Sequence, residues 1–439
     1  MGVEVLKVVG GVADALSRVV LTHTSPAALP PPFPSSLPHS DFSNTAEIMF
    51  PPRGNKTTPP HTLNHTFKFK TYCPVAFRML RSVFGIDSAD FLMSICGNSN
   101  FIEFMSNARS GQFFFYSHDG RYMIKTMTGV EAKYLESIMP SYYEHCAANP
   151  DTLITRFMGL YKVKMYHLKR NVKFVIMGSV FDTDVNLTTM FDLKGSSLGR
   201  DAGAGDAVQK DNDLRARMAN NGGAGFTIKD ETILPRLKAV LQTDLLWLRK
   251  VNIIDYSMLI GVGTERIGEV SRTSWEDPST PSDDDYTPLS RGGQSRKLSY
   301  EATHSAPRAR ISPRLDGGFE LAGASLLMEN GMGATDDSQV DVLFLGIIDI
   351  LQQFNSRKIL ESSYKSLLHK RESVSCSNPK FYAARFMRFF GTYMGNGDEQ
   401  MDDDSALGQL VKSVKSRVGS MRASSVFRRQ VGGEKSEEE

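Results

Sequence analysis

The stretch Phe113-Phe114-Phe115-Tyr116-Ser117-His118-Asp119-Gly120-Arg121-Tyr122-Met123-Ile124-Lys125-Thr126 reads as two β-rich runs joined by a turn. An Asp-Gly between such runs is a strong hairpin signal, because glycine supplies the positive φ that a tight turn needs. The second run carries Lys125 between apolar neighbours. An ammonium in an apolar strand is costly to bury without an anionic partner. An outward-facing lysine of an amphipathic strand and a lysine that holds phosphate both fit.

Outward from the hairpin, Val130–Met139 reads as a helix stopped by Pro140, and Phe157–Met165 and Lys173–Val180 read as strands. Asp230–Lys250 is the clearest helix, with Leu234, Leu237, Leu241, Leu245 and Leu248 three and four residues apart and Pro235 in the first turn. Phe69–Cys96 mixes aromatic and basic residues at helical spacing, and Tyr256–Val262 and Val342–Ile348 are short apolar strands. An α+β fold with an antiparallel sheet and a few packed helices follows. No internal repeat is visible.

Three segments break this pattern. Residues 1–66 form an extension whose later part is Pro-rich, including Pro30-Pro31-Pro32-Phe33-Pro34, and reads as an extended linker. Residues 265–341 are rich in Ser, Thr, Pro, Asp, Gly and Arg, which predicts a disordered insert within one domain at 67–394. Residues 395–439 form a polar tail. From Ala406 to Gln430 the tail carries Lys412, Lys415, Arg417, Arg422, Arg428 and Arg429 without an acid, alongside Leu407, Val411, Val414, Val418 and Met421 at helical spacing. That basic amphipathic pattern suits an anionic lipid surface.

Composition narrows the function classes. A net charge of +2 leaves no whole-molecule basic field, so nucleic acid is not an expected partner, and an acidic one must meet a local patch. Cys73, Cys96, Cys146 and Cys376 form no C-x-x-C pair, which argues against a zinc knuckle or disulfide framework and fits a reducing compartment. No apolar run is long enough for a membrane span, and Glu4, Lys7, Asp14 and Arg18 fit a signal peptide poorly. The chain as it stands is expected to be soluble.

Further residues carry possible chemistry. Ser106-Asn107-Ala108-Arg109-Ser110-Gly111-Gln112 is a polar lead into the hairpin, either an ordinary loop or one whose backbone N–H groups approach phosphate. Phe191-Asp192-Leu193-Lys194-Gly195-Ser196, with Arg200 beyond it, is either a salt-bridged turn or a phosphate site. Ile253-Ile254-Asp255-Tyr256-Ser257-Met258-Leu259 and Gly346-Ile347-Ile348-Asp349-Ile350-Leu351 each place one carboxylate between apolar runs. Mg²⁺ takes one or two carboxylates plus substrate phosphates, and a kinase needs a carboxylate near the attacking hydroxyl. Two such acids and one strand lysine supply that minimum set.

The ordered set of segments resembles the phosphatidylinositol phosphate kinase family. It begins at F-K-F-K-T-Y-C-P-V-A-F-R-x-L-R-x-x-F-G-I-D, from Phe67 to Asp87. It continues through M-I-K-T, D-L-K-G-S, Lys210-Asp211-Asn212-Asp213-Leu214, I-I-D-Y-S-M-L and G-I-I-D-I-L, spanning about Phe67–Phe390. The resemblance implies a protein-kinase-like lipid kinase fold with an antiparallel sheet in the N-lobe and a flat membrane-facing surface. It implies ATP and Mg²⁺, with Lys125, Ser110 and Gly111 at the ATP phosphates and Glu131 steadying Lys125. Asp255 becomes the catalytic aspartate, Asp349 the metal ligand, and Lys194 the stabiliser of phosphate charge, supported by Asp192 and Arg200. Ala108 stands where the family usually has a glycine before Ser-Gly.

Ser356–Ser366 is similar to the type I activation loop, where Arg357, Lys358 and Glu361 would contact the membrane and select substrate. A glutamate at position 361 goes with phosphatidylinositol 4-phosphate and its 5-hydroxyl, giving phosphatidylinositol 4,5-bisphosphate. A 4-kinase acting on the 5-phosphate and an inactive phosphoinositide-binding scaffold are the competing readings. A protein kinase is disfavoured by the lack of H-R-D, D-F-G and A-P-E. The resemblance implies a cytoplasmic protein peripheral on the cytosolic face of membranes and admits a homodimer.

Overall fold

The computed structural model of the chain describes residues 33–58, 60–61, 63–96, 102–105, 112–183, 187–220, 226–228, 233–266, 319–322, 324–326, 339–354 and 378–394. The basic amphipathic stretch from Ala406 lies outside them.

The N-terminal part runs α1 (His39–Ser43), β1 (Thr45–Phe50), β2 (Phe67–Tyr72), α2 (Pro74–Val83), α3 (Ser88–Cys96), β3 (Ile102–Met105), β4 (Phe113–Tyr116), β5 (Tyr122–Met127), α4 (Gly129–Ala148), β6 (Phe157–Met165) and β7 (Arg170–Gly178). Among the described residues these strands form one seven-stranded antiparallel sheet in the order β1-β2-β6-β7-β5-β4-β3. The expected hairpin is β4–β5, with Gly120 at φ 72 and its N–H donating to Ser117 O at 2.8 Å.

Three expectations change here. Phe69–Tyr72 is strand rather than helix, because Phe67-Lys68-Phe69-Lys70 alternates with period two and buries its aromatics. Part of the Pro-rich segment is folded, since β1 pairs with β2 from Thr45↔Tyr72 to Phe50↔Phe67. Phe50 is fully buried and stacks on the Phe67 ring at 5.1 Å.

The third change is that α4 runs through Pro140 to Ala148. An interior proline costs a helix about 3 kcal/mol. Beyond it, Tyr142, Tyr143 and Cys146 are fully buried, and each such side chain contributes on the order of 2 kcal/mol. Tyr142 Oη donates to Thr155 O at 2.8 Å and Tyr143 Oη to Pro34 O at 2.8 Å. Tertiary burial outweighs the local break.

The C-terminal part contains β8 (Leu187–Leu193), β9 (Val208–Gln209), α5 (Asp211–Asn220), β10 (Phe226–Ile228), α6 (Ile233–Lys250), β11 (Ser257–Arg266), β12 (Phe319–Ala322), β13 (Ala324–Leu326), β14 (Gln339–Ile348) and α7 (Pro379–Tyr393). Its described strands form a five-stranded sheet, β12-β14-β11-β8-β9, and a β10–β13 pair. β8 and β9 are parallel, so this sheet is not wholly antiparallel. β12 and β13 fall inside the insert expected to be disordered, and β12 pairs with β14 from Phe319↔Leu345 to Ala322↔Val342.

A short seam joins the two parts. Ile154 bridges Ile347, the Ile347 N–H donates to Leu153 O at 2.7 Å, and the Thr155 N–H to Ile347 O at 2.9 Å. Asp244 on α6, fully buried, braces the seam. It accepts from the Leu153 N–H at 2.8 Å and Thr152 Oγ1 at 2.6 Å, and lies 2.7 Å from His145 Nε2 on α4. A buried carboxylate with three partners is satisfied, and Asp244 lies on the leucine face of α6, three residues after Leu241 and four before Leu248.

Candidate functional site

Strand register gathers the acids. Leu193, the last residue of β8, faces Met258 on β11, and Ser257 faces Ile348, the last residue of β14. Lys194 and Asp349 therefore follow strand ends at the same edge where Asp255 precedes a strand start. The β11–β14 ladder opens there and then resumes, with Ile253 facing Gln353 and the Ile254 N–H donating to Gln352 O at 3.1 Å. Inside the opening, Asp255 and Asp349 have φ of 65° and 61°. Aspartate and asparagine tolerate this left-handed region better than most L-residues. The break in strand geometry frees both carboxylates from the alternation that would bury or expose them.

Two ion pairs meet at this opening. Lys125 sits mid-strand on β5, opposite Phe114 on β4 and Val175 on β7, and is 7 % exposed. Its Nζ lies 2.9 Å from Asp349 Oδ1 and 5.2 Å from the centre of the Phe114 ring. The strand lysine thus finds its anion on the other sheet. Lys194 Nζ lies 2.9 Å from Asp255 Oδ1. The pairs are neighbours: desolvation pushes the Asp349 carboxyl up, but Lys125, by charge and hydrogen bond, and Lys194, by charge, outweigh it and hold it below its ordinary value. The Asp349 side chain remains half exposed and accessible to a ligand.

The Asp192–Arg200 segment takes the form of a salt-bridged turn. One Arg200 terminal nitrogen binds Asp192 O and, at 3.0 Å, Asp192 Oδ1, while Arg200 Nε lies 2.7 Å from Asp211 Oδ2. Burial works against the Arg200 charge, but Asp192 and Asp211 outweigh it and raise its pKa. Gly195 has φ 69, and a Cβ there would come within 3.1 Å of Phe389 Cβ on α7, so both backbone and packing require glycine.

Glu131 departs from its expected place. It closes a capping box at the start of α4, accepting from the Thr128 N–H and Oγ1, each at 2.7 Å, while the Glu131 N–H donates to Thr128 Oγ1 at 3.2 Å. Gln112 Nε2 binds both of its oxygens, at 3.0 and 2.8 Å. Lys125 pairs with Asp349 instead. Thr128-Gly129-Val130-Glu131 carries the T-x-x-E signature of this cap, a signal legible in the sequence. Ser110, Gly111, Arg357, Lys358 and Glu361 lie outside the described residues.

Among the described residues no group of three or more His, Cys, Asp or Glu could hold a metal ion. The half-exposed Asp349 instead offers one ionised carboxylate, the donor set of a Mg²⁺ that completes its shell with substrate phosphates. No helix of the described residues is long and apolar enough to cross a membrane.

Comparison with known proteins shows the family. The family described as phosphatidylinositol-4-phosphate 5-kinase matches residues 95–393. Phosphatidylinositol 4-phosphate 5-kinase 4 of Arabidopsis thaliana is 35 % identical over 369 residues, covering 80 % of this chain and 46 % of that protein. A probable phosphatidylinositol phosphate kinase of Dictyostelium discoideum is 36 % identical over 367 residues, covering 78 % and 50 %. Phosphatidylinositol 4-phosphate 5-kinase type-1 alpha of Mus musculus is 33 % identical over 358 residues, covering 80 % and 61 %. The chain spans about half the length of most of these curated relatives.

Proposed function

This chain belongs to the phosphatidylinositol-4-phosphate 5-kinase family, and from that premise we propose that it transfers the γ-phosphate of ATP to the 5-hydroxyl of phosphatidylinositol 4-phosphate. The observation that carries the reading is the opened ladder, with Asp255 and Asp349 inside it and one lysine from each sheet paired to them. Phosphoryl transfer asks mostly for positioning and charge neutralisation, and these four groups are of the required kinds.

Lys125 would turn from Asp349 toward the ATP phosphates, and Asp349 would then hold Mg²⁺, which when bound neutralises phosphate charge. Asp255 orients the attacking hydroxyl and takes its proton. Lys194, paired to Asp255, stabilises charge on the transferred phosphoryl group. Asp192 and Arg200 support this lysine by fixing the turn it sits on. Ser110 and Gly111 belong to the loop expected over the phosphates. Arg357, Lys358 and Glu361 would meet the lipid, with Glu361 setting the preference for the 4-phosphate. The protein would act peripherally on the cytosolic face of an anionic membrane.

The test is a kinase assay against each singly phosphorylated phosphatidylinositol in identical vesicles, with the product headgroup identified. Phosphatidylinositol 4,5-bisphosphate formed from the 4-phosphate is the expected result. Turnover only of the 5-phosphate would make the chain a 4-kinase, and no turnover of any lipid would favour the scaffold reading. Glu361→Ala should raise use of the 5-phosphate relative to the 4-phosphate.

A further inference from the structure

Asp211 is fully buried at the start of α5, and both of its oxygens are taken. The Lys194 N–H reaches Oδ1 at 3.0 Å and Oδ2 at 3.2 Å, the Gly195 N–H reaches Oδ1 at 2.7 Å, and Arg200 Nε reaches Oδ2 at 2.7 Å. Two successive N–H groups converging on one carboxylate form an anion-holding concavity, occupied here by a side chain of the protein itself. The other face of the same residue is held as well: an Arg385 terminal nitrogen on α7 lies 3.4 Å from Lys194 O. Lys194 is thus held at its backbone from α5 on one side and α7 on the other, while its side chain alone reaches Asp255.

We infer that Asp211 is a positioning residue that sets where the Lys194 ammonium stands relative to Asp255 and the transferred phosphate, an inference that rests on the phosphotransfer reading above. A four-carbon side chain samples many rotamers, so a fixed starting peptide is what gives its ammonium a defined reach. Asp211 can govern that reach without touching substrate. Arg200 tunes it, because its guanidinium binds Asp211 Oδ2 at 2.7 Å and holds the carboxylate aimed at the two N–H groups. Losing the anchor lets the Lys194 side chain wander from the reacting atoms. Turnover falls, while affinity for ATP, held by other groups, does not.

The experiment measures kcat and the KM for ATP on phosphoinositide vesicles for wild type and Asp211→Asn, with the folded fraction and thermal midpoint of each. Wild-type turnover is the check on the function itself, so a chain inactive on every lipid would fail that reading and not this one. In Asp211→Asn, kcat per folded molecule should drop by about tenfold to a hundredfold, with the KM for ATP within about threefold of wild type. Unchanged kcat per folded molecule, with only a lower folded fraction, would overturn the inference and leave Asp211 a structural anchor. So would a KM for ATP that rises in parallel with the loss. Should Asp211→Asn fail to fold, Asp211→Glu, which keeps the charge and acceptors but moves them by one methylene, carries the same comparison.

Discussion

The two sheets deliver charge to the site in opposite ways. The seven-stranded sheet presents Lys125 from the middle of β5, hydrogen-bonded on both flanks and nearly inaccessible to water. The five-stranded sheet presents Asp349, Asp255 and Lys194 just past the ends of its strands, two of them on left-handed backbone. A mid-strand residue is fixed by its ladder and can adjust only its side chain. Residues beyond strand ends owe their positions to local backbone and to brackets such as Asp211 and Arg385. The difference teaches that damage should differ in kind: on the first sheet chemistry fails with the side chain alone, on the second with the side chain or with the turn that carries it.

The largest effect should come from Asp349→Asn. Loss of the carboxylate beside Lys125 is expected to cut turnover by about a thousandfold or more. The thermal midpoint should fall by a few degrees at most, because asparagine keeps an acceptor for the buried Lys125 but removes the charge that offsets its burial. Retained turnover at the wild-type rate would break the comparison at its centre.

Lys125→Met should lower turnover about a hundredfold and leaves a pH signature as well. Lys125 holds the Asp349 carboxyl below its ordinary value. The stabilisation from the pair is then present above the unfolded aspartate value of about 3.9 and is lost as pH falls through the lower folded value. The difference in thermal midpoint between wild type and Lys125→Met should stay constant from neutral pH down to about 5 and narrow below about 4. A difference that widens in acid would show that Lys125 acts through something other than Asp349.

Glu131→Ala separates the cap from the site. It should cost about 1 kcal/mol of stability, seen in denaturant midpoints, with turnover inside about threefold of wild type. A collapse in turnover like that of Lys125→Met would return Glu131 to the role its resemblance implied. The smallest effect belongs to Pro140→Ala, which restores one helical N–H on a segment already held by buried tyrosines. A rise of about 2 °C in thermal midpoint, with unchanged turnover, is expected.

The hairpin, the long α6 helix and the isolated acids were legible because each rests on local pattern. The Asp-Gly turn, the leucine spacing and a lone carboxylate between apolar runs need no partner to be recognised. What stayed hidden depends on distant chain. β1 is a strand because β2 offers it an edge, and α4 passes Pro140 because Thr155 O and Pro34 O receive its tyrosines. Asp211 stood in a quoted motif without a role, since nothing local shows that its carboxylate meets two N–H groups sixteen and seventeen residues away.

The left-handed backbone at Asn252, Asp255 and Asp349 also restricts which residues these positions could accept under random replacement. β-branched side chains would cost conformational energy whatever their charge, whereas asparagine and glycine fit the backbone at little cost. In a library covering all substitutions at 255 and 349, variants would therefore sort twice. Valine and isoleucine would be depleted for abundance, and asparagine and glycine for activity alone. At Asn252, which carries no charge to lose, glycine would pass both selections.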